Sequence, residues 1–118
     1  MTEEKFRVIQ LTREFILIVD KELDNFPRKD IEIKARLRNT CFDLLEILYK
    51  ANMIENIEKK KELLEIAIAK VKIIDFLINL SFDRELISNK KYLRLGTKLE
   101  EMIRYITGWL KKYVNSKE

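Results

Sequence analysis

A strip of cationic side chains near the end of the sequence has the residue types and the spacing to bind phosphate groups. On an α-helix these lysines and arginines would fall within one arc of about 100°. Such a strip contacts nucleic-acid phosphates without reading bases. It comprises Lys90, Lys91, Arg94, Lys98, Arg104, Lys111 and Lys112.

The distribution of charge agrees with this interpretation. The formal net charge is only +4, but residues 88–118 carry 8 basic and 3 acidic groups. A solvated outer face is the alternative, because the last lysines also lie where cations favour the helix dipole. The predicted nucleic-acid-binding residues are Lys91, Arg94, Lys98, Arg104, Lys111 and Lys112, with Lys72 added from the preceding helix.

Other kinds of site lack their usual residues. The sequence has no histidine, which excludes Ser-His and Cys-His catalysis and the Glu-x-x-His ligands of di-iron bundles. Gly-rich phosphate loops, paired-cysteine zinc patterns and calcium loops are also missing from the sequence. The carboxylates that facing helices could bring together are Asp20, Asp43, Glu46 and Asp75. We expect no metal site and no cofactor.

A small helical enzyme is a further alternative. A mutase-like site needs only arginines and a glutamate around an anionic substrate, and Arg36, Arg38 and Glu46 could form such a set. Helical proteins commonly carry these residue types on their surfaces, so the pattern has little specificity. We predict no catalytic residues and no enzymatic activity.

The strip requires a helix whose other side is apolar. Its apolar residues alternate in steps of 3 and 4, the pattern of a helix packed along its length against others. Ser88 is the predicted N-cap. Gly96 and Gly108 lie inside this helix, where either the close approach of another helix or a local bend would explain them. The apolar stripe is Tyr92, Leu95, Leu99, Met102, Ile106, Trp109 and Tyr113.

Three further helices are predicted over about 2–23, 27–52 and 57–80, with an irregular connection at 81–87. Two glycines and one proline are too few for an all-β fold. Short connections favour antiparallel neighbours. The predicted fold is therefore all-α, one domain over 1–118, an antiparallel up-down-up-down four-helix bundle.

The first and third helices have more apolar surface than one seam can bury. In the third, Leu64, Val71 and Ile78 belong to one stripe, while Leu63, Ile66, Ile73, Leu77 and Leu80 form a second. A monomer would expose part of this surface as a patch. We therefore predict a homo-oligomer.

Location can be inferred from a few features. No apolar run approaches the roughly 20 residues needed to cross a bilayer. The charged start, Met1-Thr2-Glu3-Glu4-Lys5, lacks the pattern of a signal peptide. The lone cysteine, Cys41, lies on an apolar stripe and fits a reducing compartment. We predict a cytoplasmic protein that does not contact membranes.

Several segments spread over roughly residues 10 to 113 occur in an order and spacing typical of one family. They are Phe26-Pro27-Arg28, Arg36-Leu37-Arg38-Asn39-Thr40, Asp43-Leu44-Leu45-Glu46, Ile87-Ser88, Lys91-Tyr92 and Ile106-Thr107-Gly108-Trp109-Leu110-Lys111. Together they resemble the Avd family, the accessory variability determinants of diversity-generating retroelements.

The resemblance implies a four-helix protomer in a ring-like homopentamer. It also implies a basic surface that binds RNA or DNA and a partner reverse transcriptase, which makes mutagenised cDNA from a template-repeat RNA. The accessory protein is not the catalyst, and the family has no invariant catalytic motif. Among the matched residues, Leu37, Leu44 and Trp109 would be core, Pro27 a helix start and Gly108 a close-packing site.

A sister group, encoded within intervening sequences of large-subunit ribosomal RNA genes, shares the bundle. Its members usually carry an Asn-Ile-Ala-Glu-Gly-like segment in the second helix, where this chain reads Asn39-Thr40-Cys41-Phe42-Asp43. That difference favours the Avd side. A stand-alone structural oligomer without a retroelement role is the alternative function.

Overall fold

The fold is all-α, as predicted. The computed structural model describes residues 2–115, which form four α-helices. The described chain is elongated, with extents of 49 × 23 × 19 Å. The helices are α1 (Thr2–Leu23), α2 (Ile31–Met53), α3 (Ile57–Asp83) and α4 (Asn89–Asn115).

Each helix packs against its neighbours in sequence, and α1 also packs against α4. This arrangement is consistent with an up-down four-helix bundle. One apolar cluster runs through its centre, with Phe15 on α1, Leu44 on α2, Ile74 on α3 and Met102 on α4 all fully buried. The predicted core positions Leu37 and Trp109 are buried as well.

The helix ends differ from the predicted ones by a few residues. Pro27 precedes a single 3-10 turn, Arg28–Asp30, and the α-helix begins only at Ile31. Helix α3 continues three residues past Leu80, and in this extension Ser81 is buried and its hydroxyl donates to the Leu77 carbonyl. The predicted irregular connection is correspondingly shorter.

The turn between α3 and α4 closes through local hydrogen bonds. Glu85 has a φ of 60°, the left-handed conformation common after a helix C-terminus, and the Leu86 amide donates back to the Ser81 carbonyl. The Lys91 amide donates to the Ser88 hydroxyl at 3.2 Å, so Ser88 caps α4 as predicted. These contacts set where α4 begins.

An ion pair joins the two loops at one end of the bundle. The Asp30 carboxylate is almost fully buried and accepts from the Arg84 guanidinium at 2.9 Å. Asp30 is the last residue of the connection between α1 and α2, and Arg84 is the first residue of the connection between α3 and α4. Burial of an unpaired carboxylate is costly, so this contact holds the two connections together.

Candidate nucleic-acid interface

Helix α4 turns its apolar stripe inward. Leu95, Met102, Ile106 and Trp109 are buried, and Trp109 is only 1% exposed. The indole Nε1–H donates to the Tyr113 hydroxyl at 3.1 Å, which satisfies its polar atom. Because the stripe faces the core, the cationic strip lies on the sides of α4 that are directed away from the core.

Three of the predicted binding residues form the solvent-facing part of the strip. Arg94, Arg104 and Lys111 are exposed, and none forms an ion pair within the described part of the chain. Lys90, one turn before Arg94, is also exposed. We call Arg94, Arg104 and Lys111 the open cations, because none of them forms an ion pair with a carboxylate of the described residues.

Two other predicted binding residues are engaged by α1. The Lys91 ammonium lies 3.2 Å from a Glu22 carboxylate oxygen, and the Lys98 ammonium lies 3.4 Å from one of Glu14. Both lysines are half-buried. Their charge is largely neutralised, so they contribute less to the field over α4 than their place in the sequence suggests.

The remaining two predicted residues differ in position. Lys112 is half-buried and has a partner within the protein. Lys72 is exposed and without an ion pair among residues 5–114, but it lies on α3. The structure thus divides the seven predicted residues into three open cations on α4, three engaged or half-buried lysines, and Lys72 on the neighbouring helix.

The outer surface of α4 also carries acidic groups. Glu100 is exposed and Glu101 is half-buried, and neither pairs with a cation in the described chain. The open cations are therefore separated points of positive charge and not a continuous basic surface. This arrangement suits separate contacts to successive phosphates better than a deep anion pocket.

The residues of the enzymatic alternative do not converge on a pocket. Arg36 is exposed, and Arg38 pairs with Asp20 at 3.4 Å on the exposed side of α1 and α2. Glu46 pairs with Lys50 at 3.2 Å, one turn along the same helix. Both are surface ion pairs. The first joins two adjacent helices, and the second joins residues four positions apart on one helix.

Cys41 has the environment of a core residue. It is buried, and desolvation raises the pKa of its thiol from 9.0 to about 12. The thiol is therefore neutral at neutral pH and lacks the thiolate that nucleophilic chemistry needs.

Two features of the surface were not evident from the sequence. A groove between α3 and α4 is lined by residues of both helices, and a pocket at the corner of α2 and α3 is lined in part by Lys50, Met53 and Lys59. Both depend on the relative placement of helices. Only the unexplained glycine at position 96 could have pointed to the groove.

Comparison with known proteins adds no assignment. Family models, curated proteins and solved structures show no match to this chain. Within the described residues, no helix has the length and apolar character needed to span a membrane. No group of three or more candidate metal ligands comes together in that same part of the chain.

Proposed function

We propose that this chain is a non-enzymatic accessory protein that binds nucleic acid along the outer face of α4. The observation that carries the proposal is the exposure of Arg94, Arg104 and Lys111, none of which has a carboxylate partner among residues 5–114. On a helix with a rise of about 1.5 Å per residue, these cations span roughly 25 Å. That length allows contacts with several phosphates of one strand.

The biological role follows from the family resemblance. In the proposed role the chain works in the cytoplasm beside a reverse transcriptase, during the mutagenic retrohoming of a diversity-generating retroelement. The transcriptase performs the chemistry, and the accessory protein holds RNA or cDNA by its backbone. A reverse-transcriptase gene beside a variable repeat in the same locus, and co-purification of the two proteins, would test this partner.

Assembly is part of the proposed role. Helix α3 exposes Ile66, Ile73 and Phe76 outside its buried stripe. An apolar row of this kind is typical of a surface that another protein covers. We propose a homo-oligomer, with a ring-like homopentamer as the form implied by the resemblance. A ring would repeat the open cations and strengthen the field that attracts a polyanion.

Binding to RNA and DNA can be tested against salt. We expect the affinity of the wild-type protein for a single-stranded RNA to fall steeply between 50 and 200 mM salt, values at which phosphate contacts lose strength. The triple variant Arg94→Gln, Arg104→Gln, Lys111→Gln should bind at least tenfold more weakly.

A matched control removes the same charge elsewhere. The variant Arg28→Gln, Lys29→Gln, Arg36→Gln alters three exposed cations away from α4 and should retain most of the affinity. Equal losses in the two variants would indicate a net-charge effect and contradict a site on α4. Salt-independent binding would contradict phosphate contacts altogether.

A purely structural oligomer is the second candidate. The exposed apolar row on α3 and the net charge of only +4 favour it. It predicts an intact oligomer that binds no RNA or DNA even at low salt. Sedimentation and nucleic-acid binding measured on the same sample distinguish the two candidates.

A further inference from the structure

The groove between α3 and α4 is open on the surface of the bundle. Its volume is about 420 Å³. Two contacts join α3 and α4 at one end of the groove. The Tyr92 hydroxyl donates to the Asn79 side chain, and the Tyr92 ring stacks on Phe82 with the ring centroids 4.1 Å apart. The groove is lined by Asp75, Ile78, Asn79, Tyr92, Leu93, Gly96, Thr97 and Glu100.

Gly96 has no packing reason within its own protomer. A Cβ atom built at this position would lie more than 4 Å from every atom of the other described helices. Glycine inside a helix costs about 1 kcal/mol relative to alanine. Neighbouring Leu93 is 59% exposed, so the groove offers an apolar wall beside the missing side chain. This geometry accommodates a bulky apolar side chain from outside the protomer.

The groove is also acidic. Asp75 on α3 and Glu100 on α4 are both exposed, and neither forms an ion pair within residues 5–114. The apolar walls come from Ile78 and Leu93. A complementary occupant therefore has an apolar side chain flanked by cations.

Helix α1 presents a segment of this kind. Leu17 is 67% exposed on the outer side of α1. Arg13 and Lys21 lie one helical turn before and after it, both exposed and without an ion pair in the described structure. The adjacent carboxylates are already engaged, since Asp20 pairs with Arg38 and Glu14 with Lys98.

From this complementarity we infer that Leu17 of one copy inserts beside Gly96 of a second copy. Arg13 and Lys21, about 12 Å apart along their helix, then face Asp75 and Glu100 across the groove. The two surfaces lie on different helices, so the contact is heterologous and each copy can bind two others. The inference rests on the homo-oligomer proposed above and adds a second contact to it, separate from the apolar row on α3.

Charge reversal tests the contact with the full chain, by sedimentation at micromolar concentration. The groove variant Asp75→Lys, Glu100→Lys and the α1 variant Arg13→Glu, Lys21→Glu should each weaken association at least tenfold. The quadruple variant restores opposite charges across the contact and should recover assembly. Reversal at Glu65 and Asp83, exposed acidic residues outside the groove, is the matched control and should have little effect.

A steric variant gives an independent test. Gly96→Phe fills the groove and should prevent assembly, while circular dichroism and thermal unfolding report whether the protomer still folds. If Gly96→Phe fails to fold, the charge-reversal pair and its rescue decide the question. A wild-type oligomer that both reversals leave intact, or that the quadruple variant does not restore, overturns the groove contact but not the oligomer. A wild-type protein that is monomeric would contradict both the groove contact and the proposed homo-oligomer.

Discussion

Helices α3 and α4 have similar core-facing sides but different solvent-facing sides. Both present a buried stripe to the core, with Ile74 on α3 and Trp109 on α4 among the fully enclosed residues. The outer side of α3 exposes an apolar row among charged residues, whereas that of α4 carries the open cations. The inner stripes position the helices in the bundle, and the outer faces determine what the bundle can bind.

The comparison also separates two kinds of charge on α4. Lysines on the side facing α1 are paired with Glu14 and Glu22, while Arg94, Arg104 and Lys111 remain open. The pairing of Lys91 and Lys98 removes positive charge that a polyanion would otherwise meet.

The largest expected effect is on the inner faces. Trp109→Ala and Ile74→Ala should each lower the free energy of unfolding by about 2–5 kcal/mol, because each leaves a cavity in a closely packed core. Urea denaturation followed by circular dichroism measures the loss. If either variant lowered the free energy of unfolding by less than about 1 kcal/mol, the stripe that contains the residue would not stabilise the fold as its burial indicates.

Substitutions on the outer face of α3 should weaken assembly and leave the protomer folded. Ile73→Lys with Phe76→Lys places two charges in the exposed row, where Phe76 is 62% exposed. We expect association to weaken at least tenfold, and thermal unfolding to become independent of protein concentration. Glu65→Lys, a charge change on an exposed residue of the same helix, is the control. Unaltered sedimentation would exclude this row from the interface.

The paired and open cations of α4 should differ in RNA binding. Arg104→Gln should reduce the slope of log affinity against log salt by about 1, the value for one lost phosphate contact. Lys98→Gln should change that slope much less, because Glu14 already balances its charge. Fluorescence anisotropy over a salt series measures both slopes. Similar reductions of the two slopes would mean that the ion pair between Lys98 and Glu14 breaks when nucleic acid binds.

The smallest expected effect is at Gly96. In the Arg13→Glu, Lys21→Glu background, which should leave the groove uncovered, Gly96→Ala should raise the free energy of unfolding by up to about 1 kcal/mol, since no side chain of another helix in the described chain contacts the added methyl group. Denaturant unfolding is the measurement. A destabilised variant would show that the helix needs glycine there for a reason internal to the protomer.

Much of the fold could be predicted from apolar spacing. The alternating steps on α4 predicted a packed helix and placed Trp109 in the core, and Ser88 was correctly identified as its N-cap. Helix ends were less predictable. The 3-10 turn after Pro27 and the extension of α3 to Asp83 depend on the closure of loops, which involves contacts such as Asp30 with Arg84.

The candidate site could be predicted only in part. Spacing within α4 located its cations on one broad side, but the carboxylates that neutralise Lys91 and Lys98 belong to α1, about 70 to 85 residues earlier. Ion pairs over such separations depend on which helices become neighbours. The same is true of the groove at Gly96, whose walls come from two helices.

By itself the sequence determined the helices and their inward faces, because hydrophobic periodicity is a local property that each helix expresses on its own. The tertiary structure alone decided which charges remain open and which apolar residues stay uncovered. Those properties depend on distances between helices, and only the packing of α1, α3 and α4 against one another sets them.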